Sequence, residues 1–168
     1  MTTLHAQPYD LAAAGFYFES ANDYALKAAT LRNAYGQTVE EFEIQFIDGK
    51  RLDLELFEAL RIGQPDIAAY FEAILNWSDD QKVRAIIAVR EVGYSLRLGN
   101  DDPDRFDIDL YEIDSLRDLA IRFVDEGLFG DIPKAIENYL DYDAIARDLA
   151  MDFGTVTIAG AHYAYRAA

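Results

Sequence analysis

The side chains able to do chemistry in this sequence are almost all carboxylates. Its 168 residues hold 31 Asp and Glu against 15 Lys and Arg, a formal net charge of −16, with two histidines and no cysteine. Without Cys, disulfides, thiolate nucleophiles, Fe–S clusters and Cys-based zinc sites are excluded. His5 and His162 lie near opposite ends, which leaves little for histidine-centred catalysis or a His-rich metal site. His5 reads as part of a loose terminus, and His162 as a strand or turn residue rather than a ligand. What remains is carboxylate chemistry: cation binding, paired acid–base work, or the display of negative charge.

The first two fail on spacing. In NDDPDRFDIDLYE, setting Asn100, Asp102 and Asp104 as the first calcium-loop ligands puts Arg105 where glycine is required and Tyr111 where the bidentate Glu belongs. Starting at Asp101 recovers Glu112 but loses the acids at the inner positions. Glycoside hydrolysis needs two acids at a defined separation in a cleft, and with 31 acids some pair meets any distance by chance. The glycines stand singly at element ends, so no phosphate-cradling loop is present. The expectation is a protein with no catalytic residues, no metal and no cofactor.

The elements that hold the carboxylates follow from periodicity. AGFYFE (14–19) reads as a strand, Ser20 with Asp23 as a helix cap before the stripe Tyr24, Ala28, Leu31 and Tyr35, and Gly36 as its stop. FEIQFI (42–47) alternates as a half-buried strand, and Asp48-Gly49 turns the chain. The period then becomes helical. Asp53 caps a short helix, Pro65 opens a second with Ile67, Tyr70, Phe71, Ile74 and Leu75 inward, and Ser78 with Gln81 opens a third. Trp77 wedges two of these helices together. GNDDPDR (99–105) reads as a linker. Beyond it FDIDLYE alternates as a strand, Ser115 with Asp118 caps a helix stopped at Gly127, Pro133 starts a short helix, Asp141 caps another, and TVTIAGAHYAY forms a hairpin turning at Gly160. The expected fold class is α+β, in three modules: a strand–helix–strand unit at 1–50, a helical bundle at 51–99, and an acidic α+β module at 100–168.

Charge is unevenly spread over these elements. Residues 1–99 hold 15 acids and 9 bases, residues 100–152 hold 16 and 5, and the acids of the latter stretch interleave with core positions instead of forming a tail. Asp107 and Asp109 point to one strand face, and Asp118, Asp125 and Glu126 lie off the apolar stripe of the following helix. Asp131, Glu137, Asp141, Asp143, Asp148 and Asp152 follow at short intervals, and Glu112 and Asp114 fill the strand end and its turn. Any one acid is explained by solvation. A fixed excess of like charge destabilises the fold and calls for a use. One use is to imitate DNA, which carries a charge per ~1.7 Å of axis, so that 31 carboxylates match the phosphates of roughly 15 base pairs. The same field excludes direct nucleic-acid binding and contact with anionic membranes. An acidic adaptor for a basic host protein is the alternative. No apolar run approaches a bilayer span, the amino-terminal stretch makes a poor signal peptide, and the chain reads as cytoplasmic.

LFGDIPKAIENYLDYDAIARDL (128–149) resembles the C-terminal signature of the ArdA-type antirestriction proteins, with Ile132, Pro133, Asn138, Tyr139, Asp141, Tyr142, Ala144, Arg147 and Asp148 at the signature positions. GFYFES, EEFEIQFIDG, LFEAL and VGYSL look like the amino-terminal part of one branch of the same family. The resemblance implies an acidic DNA mimic, made by mobile elements, that inhibits type I restriction–modification enzymes by occupying their DNA-binding groove. It also implies an elongated protomer of three small modules, dimerising through the last, with acids acting as phosphate surrogates. The motif acids are Asp131, Asp141, Asp143 and Asp148, and Tyr139 and Tyr142 are candidates for the dimer interface. Arg147 is expected to pair with a carboxylate. One feature departs from the pattern: Lys82, Arg84, Arg90 and Arg97 against Glu91 alone make residues 82–97 locally basic.

Overall fold

The computed structural model describes residues 1–167. The fold is α+β, with two three-stranded antiparallel sheets, and it divides into two compact units, Met1–Arg105 and Phe106–Ala168.

The first unit begins with a strand that periodicity did not mark. In β1 (Thr3–Pro8) Leu4, Ala6 and Pro8 are buried in alternation. β1 lies between β2 (Phe16–Phe18) and β3 (Phe42–Asp48) in the sheet order β2-β1-β3. His5 is therefore part of a central strand and not of a loose terminus, paired in register with Tyr17 and with its ring 4.7 Å from that of Tyr17. A Cβ at Gly15 would come within 2.6 Å of the His5 ring, so the close approach of the two strands requires glycine there.

Ser20 caps α1 (Ala21–Thr30) by accepting the Asp23 N–H at 3.1 Å, as the spacing predicts. The helix ends six residues before Gly36 because Asn33 organises a competing loop. Its side-chain oxygen accepts the N–H groups of Tyr35 and Gln37, and its amide donates to Asp10 and Gln37. That amide, with the Ala12 N–H, also holds the Asp10 carboxyl below the usual carboxylate range. Tyr35 is thus exposed in a loop and not on a buried helix face.

α2 (Arg51–Leu60), α3 (Ile67–Asn76) and α4 (Asp79–Ile87) supply the helical half. Ile67, Tyr70 and Phe71 face inward as expected, and Leu75 is exposed because Ala73 takes the inner position in the last turn. Each fully buried side chain of this size adds roughly 1.5–3 kcal/mol. Edge-on contacts between Phe18 and Phe71 and between Phe46 and Phe57 join sheet to helices in one core. The 99–105 stretch is not a loose connector. Pro103 is fully buried, and the Asp101 carboxylate accepts the Arg97 N–H at 2.8 Å and the Arg105 guanidinium at 2.7 Å.

The second unit runs β4 (Ile108–Glu112), α5 (Leu116–Asp125), α6 (Lys134–Glu137), α7 (Tyr142–Asp152), β5 (Gly154–Ile158) and β6 (Ala161–Ala167), with sheet order β4-β6-β5. Leu119 and Phe123 of α5 pack with Phe153 and Ala164 over Tyr111 and Leu149. The closing hairpin turns on Ala159 and Gly160, both at positive φ, the two-residue turn that matches strand twist.

Candidate functional site

Phe106–Ala168 contains 13 acids and five bases, a net of −8 in 63 residues. Those 13 acids are the ones singled out by spacing, and all but Asp109 are exposed. Asp107 precedes β4, Asp109 and Glu112 lie on it, and Asp114 sits in the turn before α5. Asp118 occupies the first turn of α5, Asp125 its last position and Glu126 its C-cap. Asp131 lies between α5 and α6, and Glu137 ends α6. Asp141 caps α7 by accepting the Ala144 N–H at 2.9 Å, and Asp143, Asp148 and Asp152 lie along that helix.

Three of the 13 are neutralised within the unit. Arg166 holds Asp109 at 3.0 Å through Nε, Arg117 holds Asp143 at 3.1 Å, and Arg122 holds Glu126 at 2.8 Å. Hydrogen bonds to Asp109 and Glu126 raise the already high pKa of Arg166 and Arg122, so both guanidiniums stay charged. Asp107 and Asp109 consequently do not form a two-charge display: β4 starts after Asp107, and Asp109 is tied to its neighbour strand. The remaining ten acids carry no ion pair among the described residues.

Helix electrostatics do not account for all of them. Asp118 and Asp143 lie in first turns, where the macrodipole favours an acid; Asp125 and Asp152 lie at C-terminal ends, where it opposes one by roughly 0.3–1 kcal/mol. Glu112, Asp114 and Asp118 are the acids that a single cavity brings together, of about 700 Å³, shared with Arg122 and His162. His162 is on β6 with Nδ1 2.7 Å from Thr157 Oγ1. Among the described residues no three His, Asp or Glu side chains are grouped to hold a metal ion.

In the first unit the locally basic stretch is neutralised from within. Lys82 is buried, with Nζ 2.8 Å from Asp53 Oδ1 and 3.0 Å from the Ile74 carbonyl. Arg84 pairs with Asp80 and Asp104, Arg90 with Glu55 and Glu91, and Arg97 and Arg105 with Asp101. Asp53 is therefore a buried partner inside α2 and not a cap; Lys50 takes the cap position. The Arg97 N–H, aided by both guanidiniums, holds Asp101 below the usual carboxylate range. The i,i+4 spacings of Asp80 with Arg84 and of Asp101 with Arg97 and Arg105 were visible in the sequence. The Asp53–Lys82 pair spans 29 residues and had no local signal.

The signature residues flank α6, with Ile132 and Pro133 before it and Asn138, Tyr139 and Asp141 after it, and continue along α7. Tyr139 is 85% exposed, whereas Tyr142 is half-buried with the Arg117 guanidinium 5.7 Å from its ring centroid. Arg147 is exposed on α7 and forms no ion pair among the described residues, contrary to expectation. Trp77 is the C-cap of α3, half-buried where α3 gives way to α4, and lines a cavity with Asn76, Gln81 and the 99–102 turn. No helix is long and apolar enough to cross a membrane.

The model of the family described as "Antirestriction protein (ArdA)" matches residues 17–164. No match is found among curated proteins. The family match takes in the helices of both units, the paired bases of the first and the exposed acids of the second, and the chain belongs to the ArdA family of antirestriction proteins.

Proposed function

We propose that this protein is an acidic DNA mimic that inhibits type I restriction–modification enzymes by competing for their DNA-binding groove. The observation that carries the reading is the set of ten exposed, unpaired acids on the secondary structure of the second unit, two of them placed against a helix dipole. The internal pairing of Lys82, Arg84, Arg90 and Arg97 removes the positive interruption that the sequence suggested in the first unit. Inhibition by occupation needs no catalytic residue and no cofactor, and it takes place in the cytoplasm, where such enzymes meet incoming DNA. The signature region, with Tyr139 and Tyr142, supports a homodimer.

Competition tests the reading. Purified protein displaces duplex DNA from a type I enzyme, and its apparent affinity falls at least ~10-fold between 50 and 200 mM salt, since release of counterions drives the association. Single Asp→Asn changes among the ten acids each cost under ~1 kcal/mol, the scale of exposed charges, while joint neutralisation of six or more abolishes inhibition. Affinity indifferent to salt, or one dominant carboxylate, would refute charge mimicry.

A further inference from the structure

One face of α3 borders a hollow. Ala69, Glu72, Ala73 and Asn76 stand at i, i+3, i+4 and i+7, the spacing of a single helical stripe, and the two alanines are too small to fill the space beside it. A cavity of about 350 Å³ results, closed by Trp77 at the end of the helix, Gln81 of α4 and the 99–102 turn. Its walls are fastened to one another. Gly99, at φ +77°, brings the turn against α3, where an added Cβ would stand 3.5 Å from that of Ala69. Gln81 donates to Asp104 Oδ2 at 2.8 Å, and the Asp101 carboxylate is occupied by the Arg97 N–H and the Arg105 guanidinium. Walls held in this way lose little freedom when a ligand enters.

The groups left over in the cavity are acceptors. Among the described residues the Glu72 carboxylate has no hydrogen bond and no ion pair, and that of Asp102 accepts only the Asp104 N–H. No Lys or Arg lines the cavity, and the nearby Arg97 and Arg105 are held on Asp101. The half-buried indole of Trp77 forms one wall. An aromatic wall beside unpaired carboxylates selects an organic cation, since the ring face attracts the charge and the carboxylates accept its N–H groups. A metal ion is not served, because among the described residues no three His, Asp or Glu side chains are grouped to hold one.

We propose that this cavity is a guanidinium site, which receives one arginine side chain from the DNA-binding surface of the enzyme that the protein inhibits. Arginine fits it better than lysine: the planar group stacks on an indole, presents a fork of donors to carboxylates and is more weakly hydrated. Surfaces that hold DNA supply such side chains, because most of their hydrogen bonds go to phosphate and sugar. An exposed acid of the second unit offers charge alone, whereas this cavity adds an aromatic wall and a defined shape. Binding here is localised and less sensitive to salt than the spread attraction of the exposed acids. The proposal rests on the mimic reading for the origin of the arginine and not for the existence of the site.

Trp77 is the sole tryptophan, so its emission reads occupancy directly in the full chain. N-acetyl-arginine amide, titrated at constant ionic strength, is expected to change that emission with saturation at roughly 1–20 mM, the affinity of one cation–π contact joined to a charged hydrogen bond. The lysine analogue binds at least ~3-fold more weakly, and the citrulline analogue, of the same shape without the charge, does not saturate. Glu72→Gln with Asp102→Asn retains an acceptor for the Asp104 N–H, leaves the circular dichroism spectrum unchanged and weakens arginine binding at least ~5-fold. In competition with duplex DNA on a type I enzyme, this double variant and Trp77→Leu each inhibit roughly 5- to 10-fold more weakly than the native chain. An emission change that is linear, equal for citrulline or untouched by the double variant overturns the site, and the mimic reading stands on its own salt dependence. Saturable binding with inhibition unchanged in both variants overturns the origin assigned to the arginine. A native chain that fails to displace DNA refutes the mimic reading, and the titration still decides the site.

Discussion

Replacing Lys82 by Met tests the least visible feature of the first unit. Lys82 and Asp53 have side chains 2% and 6% exposed, with Nζ and Oδ1 at 2.8 Å. The Thr2 hydroxyl donates to Asp53 Oδ2 at 3.3 Å, and Tyr70 donates to the Asp53 carbonyl at 2.9 Å. Burial, and then the Asp53 charge, push the Tyr70 phenol well above its usual pKa, so it remains a donor. Lys82→Met leaves the carboxylate with one long hydrogen bond and strips the Ile74 carbonyl of its donor. Removing one partner of a buried pair costs about 3–5 kcal/mol, a large part of the ~5–15 kcal/mol that holds a domain folded. With a urea dependence of ~2 kcal/mol/M, the midpoint falls by roughly 2 M. Trp77, the sole tryptophan, lies in this unit, and its emission follows the transition. The double variant Lys82→Met/Asp53→Asn regains about 2 kcal/mol over Lys82→Met, because no unpaired charge is left buried. A loss below ~1 kcal/mol, or a double variant no more stable than the single, would refute the assignment.

Two further outcomes follow from local geometry. Gly154→Ala drives a Cβ into the Tyr165 ring across the β5–β6 pair and lowers the stability of the second unit by about 1–3 kcal/mol, measured by thermal melting in circular dichroism. The folded-state pKa of Asp101 lies below its ordinary value of 3.8, so its stabilising contribution is complete above that value and fades as pH falls through the lowered one. Asp101→Asn therefore flattens the acid limb of the stability–pH curve of the first unit below about pH 4; an unchanged limb counts against the Arg97–Asp101–Arg105 arrangement.

Helix starts were legible because capping is local. Ser20, Ser78, Ser115 and Asp141 each accept the N–H three residues on, as their spacing predicts. The β3 alternation and the Gly160 turn were equally plain, since strand period and turn chemistry are written in neighbouring residues. β4 was legible as a strand but not by face, because Tyr111, set by alternation beside Asp107 and Asp109, packs on Phe123 and Phe153. The exposure of the acidic set could be anticipated too, because a carboxylate without a partner stays in water. β1 was missed because its apolar side is only Leu4, Ala6 and Pro8, and it becomes a strand by having β2 and β3 on either side.

What the amino-acid order determined by itself is the carboxylate excess, the caps and periods of its elements, and a family signature at 128–149. Only the tertiary structure decided which charges count. It buried Lys82 against a residue 29 positions away, drew Arg84, Arg90 and Arg97 onto acids, cancelled Asp109, Glu126 and Asp143, and left the other ten acids of the second unit without an ion pair. The reason is that Coulomb energy depends on distance and burial, and neither is fixed by position in the chain until packing brings distant segments together.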